Sequence, residues 1–182
     1  MAILETKEQL RERMREIEHP TLDQSEAIWR QIVNHQAYRN AKIVCAYAPL
    51  PNEIDSNRWL ARIAAEKQLC LPVVVGKKTM NLRFYTSMED LTVGAFSIPK
   101  PNIGEICPPS DVDLFLIPAL GYDLEGYRLG RGKGYYDRLL AKSSAHKMGI
   151  ITTKRLIAAI PHDKHDIPVD TIITDLLCIK TK

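Results

Sequence analysis

The chain has 182 residues, 45% of them hydrophobic, 26% charged and 7% aromatic, with a formal net charge of +3. That composition excludes a disordered tail, and no apolar run approaches the ~20 residues a bilayer crossing needs. The small net charge does not announce a nucleic-acid partner, and the first residues hold no apolar core of a secretory signal. The expectation is one domain over residues 1–182, cytoplasmic, with no membrane or nucleic-acid partner.

The first predicted element is a helix. Thr6 and Gln9 have capping-box spacing, and Leu10, Met14 and Ile17 recur on one stripe. Lys7, Arg11 and Arg15 form a second stripe, with Lys7 bordering the apolar face. Read alone, this is a solvated basic face, although Lys7 and Arg11 stand one turn apart and could lean into a site. Pro20 ends that helix. Thr21 and Gln24 repeat the capping spacing, and a second helix with Ile28, Ile32 and Val33 is predicted to reach about Tyr38.

The period then changes. KIVCAYA (42–48) reads as a buried strand, Asp55 or Ser56 caps a helix to about Lys67, and LCLPVVV (69–75) is the next strand. Strand, helix and strand over about 30 residues make a parallel unit with a right-handed crossover. Between Gly76 and Pro109 the text is irregular: KKTMNLRFY gives one edge strand, and IPKPNIGEICPP a proline-rich loop. The pattern resumes with 113–121, 146–152 and 171–175. The expected architecture is α/β, a single three-layer, Rossmann-like domain with a mostly parallel sheet and an N-terminal helical hairpin. Cys45, Cys70, Cys107 and Cys178 lack metal-ligand spacing. All four read as reduced and structural, and three of them (Cys45, Cys70, Cys178) lie inside apolar strand-like runs.

Five of the nine glycines fall between Gly121 and Gly134. Gly130, Gly132 and Gly134 alternate with Arg131 and Lys133, Arg128 stands just before, and YYDRLLAK reads as a helix. A basic glycine-rich turn feeding a helix suits a phosphate or other anion. Its spacing matches neither GxxxxGK[ST] nor GxGxxG. Three other readings fit the local text: a tight loop with solvated arginines, a basic-aromatic RNA patch, and a phosphate site on a sugar-phosphate isomerase or CoA-transferase relative. Asp137, in the first turn of that helix, serves either as a dipole partner or as a ligand of Mg²⁺ beside phosphates. Glu53 follows the end of the first strand, where open α/β sheets bind ligands. In IPHDKHDIPVD (160–170) the HxxH spacing lacks a third metal ligand, so a loop closing the site is expected instead. Asp170 could reach the same metal as Asp137.

PLPNEID, IPALGYDLEGYRLGRGKGYYD and PHDKHDIPVDTIITD, in this order and at these separations, resemble the 5-formyltetrahydrofolate cyclo-ligase (methenyltetrahydrofolate synthetase) family from Lys7 to Asp175. The resemblance implies a fold of the type shared with sugar-phosphate isomerases and CoA-transferases. It implies ATP- and Mg²⁺-dependent closure of 5-formyltetrahydrofolate to 5,10-methenyltetrahydrofolate, by a monomer or weak homodimer. ATP is a co-substrate and Mg²⁺ the cofactor. The implied ATP contacts are Lys7, Arg11, Arg128, Leu129, Gly130, Arg131, Gly132, Lys133, Gly134, Tyr135 and Tyr136. Arg131, Gly132, Lys133, Gly134 and Tyr135 are implied to touch the folate as well, with Ala48 and Glu53. Arg131, Lys133 and Tyr135 are implied as catalytic, and Asp137 and Asp170 as the magnesium ligands. Two positions depart from the family's pattern: Lys100 stands where an acid is common, and Asp163 where a glutamate is common.

Overall fold

The computed structural model describes residues 5–102 and 104–181. Both predicted N-terminal helices form, and both are closed by the boxes their sequences carry. In α1 (Lys7–Arg15) Gln9 N donates to Thr6 Oγ1 at 3.3 Å while Thr6 N donates to Gln9 Oε1 at 2.9 Å. Thr21 and Gln24 repeat this at the start of α2 (Leu22–Asn34). The second helix stops four residues short of the expected end. His35 takes an extended conformation, and its Nδ1 accepts from Ala37 N at 3.1 Å to start a separate α3 (Gln36–Asn40).

The central strands are β1 (Ile43–Cys45), β2 (Gln68–Val74), β3 (Met80–Phe84) and, beyond the hairpin β4 (Leu91–Val93) with β5 (Pro99–Pro101), β6 (Ile106–Cys107) and β7 (Leu114–Pro118). A small sheet follows from β8 (Gly121–Asp123) and β9 (Arg128–Leu129), later joined by β11 (Leu156–Ile157). The remaining central strands are β10 (His146–Ile150), β12 (Thr171–Ile173) and β13 (Cys178–Lys180). The eight-stranded sheet runs β13-β12-β10-β7-β1-β2-β3-β6. Its five middle strands, β12 to β2, are parallel, and β13, β3 and β6 add antiparallel edges. The predicted edge strand β3 is thus an inner one, because Ile106–Cys107, read as loop, pairs outside it.

Apolar burial on both faces explains the unbroken runs in the strands. Val44, Leu114 and Leu116 point to the face covered by α2, α3 and α4 (Asn57–Glu66). Cys45, Phe115 and Ile117 point to the other face, with Tyr122 and with Leu139 and Leu140 of α5 (Tyr135–Leu140). Gly149 in β10 is required there, since a Cβ would stand 2.6 Å from the Tyr122 ring. Cys45, Cys70 and Cys107 are buried in this core, but Cys178 is exposed on the edge strand β13, where an apolar run had suggested burial.

The two N-terminal helices go to different cores. Ile28 and Ile32 of α2 join the main sheet, whereas Leu10 and Met14 of α1 pack on Leu120, Leu129, Ile157 and Ile160. The Met14 carbonyl near the end of α1 is held by a buried arginine that the sequence did not announce. Arg155 Nη1 donates to Met14 O at 3.1 Å and to Leu120 O at 3.2 Å. This fixes α1 beside the glycine-rich loop. No helix among the described residues is long and apolar enough to cross a membrane.

Candidate active site

A cavity of about 620 Å³ opens beyond the carboxyl ends of β1, β2 and β7. One end is apolar and the other is charged. The apolar end is walled by Pro72, Val73 and Val74 of β2, Met80 of β3, and the β4–β5 hairpin through Gly94, Ala95 and Ile98. Lys100 of the same hairpin also faces the cavity. The charged end is made by Lys7 and Arg11 of α1, Arg128, the loop Gly130–Gly134, Tyr135, Tyr136, Asp137 and Asp166.

The loop takes its shape from two glycines in the left-handed region, Gly132 at φ 92° and Gly134 at φ 62°. Gly134 turns directly into α5, which has only six residues. The helix dipole is therefore a minor contributor, and the cradle is the loop itself. Among the described residues, the backbone N–H groups of Gly130 to Gly134 donate to no protein acceptor. Such consecutive free donors form an anion-binding concavity. Arg11 Nε holds the loop from behind through Gly130 O at 2.9 Å.

Three cations at this end each meet a carboxylate from a different element. Lys7 Nζ lies 2.7 Å from Asp166 Oδ2, Arg128 Nη2 2.7 Å from Asp137 Oδ1, and Arg131 Nη2 3.4 Å from Glu53 Oε1. Arg128 is only 5% exposed, and its guanidinium stacks on the Tyr136 ring at 5.4 Å. Its Nη1 is buried without an acceptor among the described residues, an unusual state for a buried donor. Glu53 is nearly buried, and burial raises its pKa against the pull of Leu50 N–H and Arg131. Asp166 goes the other way. Burial raises it, but the Lys7 ammonium, the Asp163 N–H and the charge of Arg128 together hold its carboxyl below the usual range.

Most of the residues singled out by the sequence meet here, including Ala48, which is buried on the wall. Lys133 is exposed at the rim. Tyr135 presents its ring, while its hydroxyl donates to Gly76 O at 3.1 Å. Two residues are placed elsewhere. Leu129 is turned into the α1 core and anchors the loop from below. Asp170 does not reach the cavity: it precedes β12 at the amino end of the sheet, where Oδ2 accepts from Lys147 N at 2.7 Å. The expected Asp137–Asp170 metal pair is not assembled, because the two lie at different ends of the parallel strands. His162 of the HxxH segment stacks on Tyr127 with ring centroids 3.4 Å apart.

The family model described as the 5-formyltetrahydrofolate cyclo-ligase family matches residues 3–175. The chain belongs to that family. It is an enzyme of the ligase class that the family comprises. It is 34% identical to the solved 5,10-methenyltetrahydrofolate synthetase of Aquifex aeolicus, with a TM-score of 0.86, covering 97% of this chain and 93% of that one. Among curated cyclo-ligases, it is 26% identical to that of Mus musculus over 91% of this chain and 89% of the relative. The Escherichia coli K12 protein is 28% identical, over 74% and 78%.

For a cyclo-ligase, the sequence left out three contributors to this site. Asp166 sat inside a segment read only as a closing loop. Arg155 carries no local signal, because its partners are carbonyls far away in sequence. The β4–β5 hairpin lay in text too irregular for periodicity to find.

Proposed function

We propose that this cyclo-ligase converts 5-formyltetrahydrofolate and ATP to 5,10-methenyltetrahydrofolate, ADP and phosphate within a single domain. The observation that carries the reading is the row of free N–H groups from Gly130 to Gly134 in a loop that lines one cavity with Arg128 and an apolar wall. The charged end suits a polyphosphate, and the apolar end a flat heterocycle. In this reading the formyl oxygen attacks the γ-phosphorus and ADP leaves. N10 then closes on the activated carbon, losing its proton to solvent, and phosphate departs.

Phosphoryl transfer needs positioning and charge neutralisation more than a protein nucleophile. Lys7, Arg11, Arg128 and the loop amides bind the phosphates. Arg131 and Lys133 lie where the transferred group meets the folate, and Tyr135 forms the wall between the two substrates. Glu53, held by Leu50 N at 3.0 Å, is placed to accept from nitrogens of the folate ring. Asp137 is the carboxylate that fits Mg²⁺: Oδ1 is committed to Arg128 and Ile167 N, while Oδ2 has no hydrogen-bond partner among the described residues. A hard ion held by one carboxylate plus substrate phosphates is usual for magnesium, and bound there it would neutralise phosphate charge.

The test is absorbance in the methenyl-folate band on mixing the protein with 5-formyltetrahydrofolate and Mg²⁺, with and without ATP. The reading requires a rise that depends on ATP. No rise from folded protein overturns it.

A further inference from the structure

Arg11 and Lys7 stand one turn apart on α1 and are fixed in different ways. Arg11 is tied to the loop by its own bond to Gly130 O. Lys7 has no bond to the loop. Among the described residues its ammonium is held by Asp166 alone, at 2.7 Å. The Asp166 carboxylate is itself held: Asp163 N donates to the same oxygen at 2.9 Å, and Asp166 N donates to Asp163 O at 3.1 Å. The next residue, Ile167, donates its N–H to Asp137 Oδ1 at 3.2 Å, which ties this segment to α5. A fixed acid thus joins the first residue of α1 to the element that carries the proposed magnesium carboxylate.

We propose that Asp166 is a positioning residue for the nucleotide, holding the Lys7 ammonium at the polyphosphate end of the cavity. This rests on reading the cavity as an ATP site. An ammonium has three donors; Asp166 takes one, and two remain for phosphate oxygens. Two effects oppose each other. A lysine stem already fixed loses no further rotamer freedom when nucleotide arrives, while the Asp166 charge repels phosphate. The geometry decides between them. Asp166 and Lys7 line the cavity together and neutralise each other, so the pair brings little net charge to the phosphates; what it brings is an ammonium whose stem is already ordered, with two donors left to direct.

Asp166→Asn separates the two functions of the side chain, since it keeps an acceptor for Asp163 N and removes the charge. Calorimetric titration with ADP should show affinity about tenfold weaker than wild type, equivalent to about 1.4 kcal/mol. Asp166→Glu should recover part of it. In turnover, KM for ATP should rise about as much, with kcat and KM for the folate within about twofold. In a Lys7→Met background, Asp166→Asn should have no further effect on ADP affinity. The proposal falls if Asp166→Asn binds ADP as tightly as wild type or more tightly, or if its loss is the same without Lys7. Should Asp166→Asn fail to fold, Lys7→Met decides alone, and unchanged ADP affinity overturns the proposal. Wild-type protein that neither binds ADP nor forms the methenyl product would instead sink the ATP reading beneath it.

Discussion

At the carboxyl ends of the parallel strands, the acids on the cavity wall answer cations from other elements. Asp166 faces Lys7, Asp137 faces Arg128, and Glu53 faces Arg131. At the amino ends the acids answer chiefly the N–H groups that start strands, although Asp170 Oδ2 also lies 3.7 Å from Lys147 Nζ. Asp113 Oδ2 accepts from Lys42 N and Ile43 N at 2.8 and 2.9 Å, and Asp170 Oδ2 accepts from Lys147 N. An acid bonded to strand N–H groups fixes where a strand begins, and its loss is felt as stability. An acid paired with a cation across a cavity holds a charge that a ligand can exchange, and its loss is felt as binding or turnover. Two aspartates four residues apart, Asp166 and Asp170, fall on opposite sides of this division.

The largest effect expected is at Arg128. Arg128→Leu removes the buried unpartnered Nη1 and leaves Asp137 without its 2.7 Å partner. Turnover with saturating folate should fall about 100-fold or more, with far-ultraviolet circular dichroism unchanged. Asp137→Asn should fall in the same direction, and Asp170→Asn should keep turnover within about twofold. If Asp170→Asn were as damaging as Asp137→Asn, the division between the two ends of the sheet would collapse.

Glu53 sharpens the comparison inside the cavity. Glu53→Gln should raise KM for the folate about tenfold, the cost of one hydrogen bond to a charged group, and leave KM for ATP within about twofold. Burial raises the Glu53 pKa. The ionised form is therefore lost at higher pH than for an ordinary glutamate as acid is added. The acid limb of kcat/KM for the folate should lie above the usual carboxylate range, and Glu53→Gln should remove it. An unaltered limb would assign that titration to another group.

A smaller effect is expected at Lys100, the cation on the apolar side of the cavity. Lys100→Glu should weaken polyglutamylated substrate severalfold relative to the monoglutamate, because the added tail carboxylates would meet an acid. Relative KM values that do not change would remove Lys100 from substrate recognition.

These assignments were not equally legible in the chain. Capping boxes at Thr6 and Thr21, the period change at Lys42 and the glycine spacing from Gly130 are local signals, and the elements they predict are present. Strand β6 was missed because two residues between prolines show no period, and pairing with Arg83 and Leu82 defines it only in three dimensions. Asp170 was misplaced for a related reason. An acid beside a strand reads the same from either end, and strand direction, which decides the matter, is a property of the whole sheet. The partners of Lys7 and Arg131 were likewise invisible, since those ion pairs join residues 159 and 78 positions apart.

The smallest effect should be confined to the amino end and to stability. His35 and His146 lie there with ring centroids 5.4 Å apart, beside Asp113 and Asn40. Burial lowers the pKa of both; at His146 Asp170 opposes this, while His35 and Lys147 reinforce it. The fold therefore disfavours the imidazolium, and the unfolded chain takes up the proton first, near pH 6.5. Stability is then complete above about that pH and declines as pH falls below it. The melting temperature should drop between pH 7.5 and pH 5.5, and combining His35→Asn, which keeps an acceptor for Ala37 N, with His146→Gln should flatten that drop. Because neither ring lines the cavity, turnover per folded molecule at pH 7.5 should be unchanged in that variant. A loss of turnover there would show that the two ends of the sheet are coupled, and that acids and imidazoles at the amino end act on the site as well as on the strands they begin.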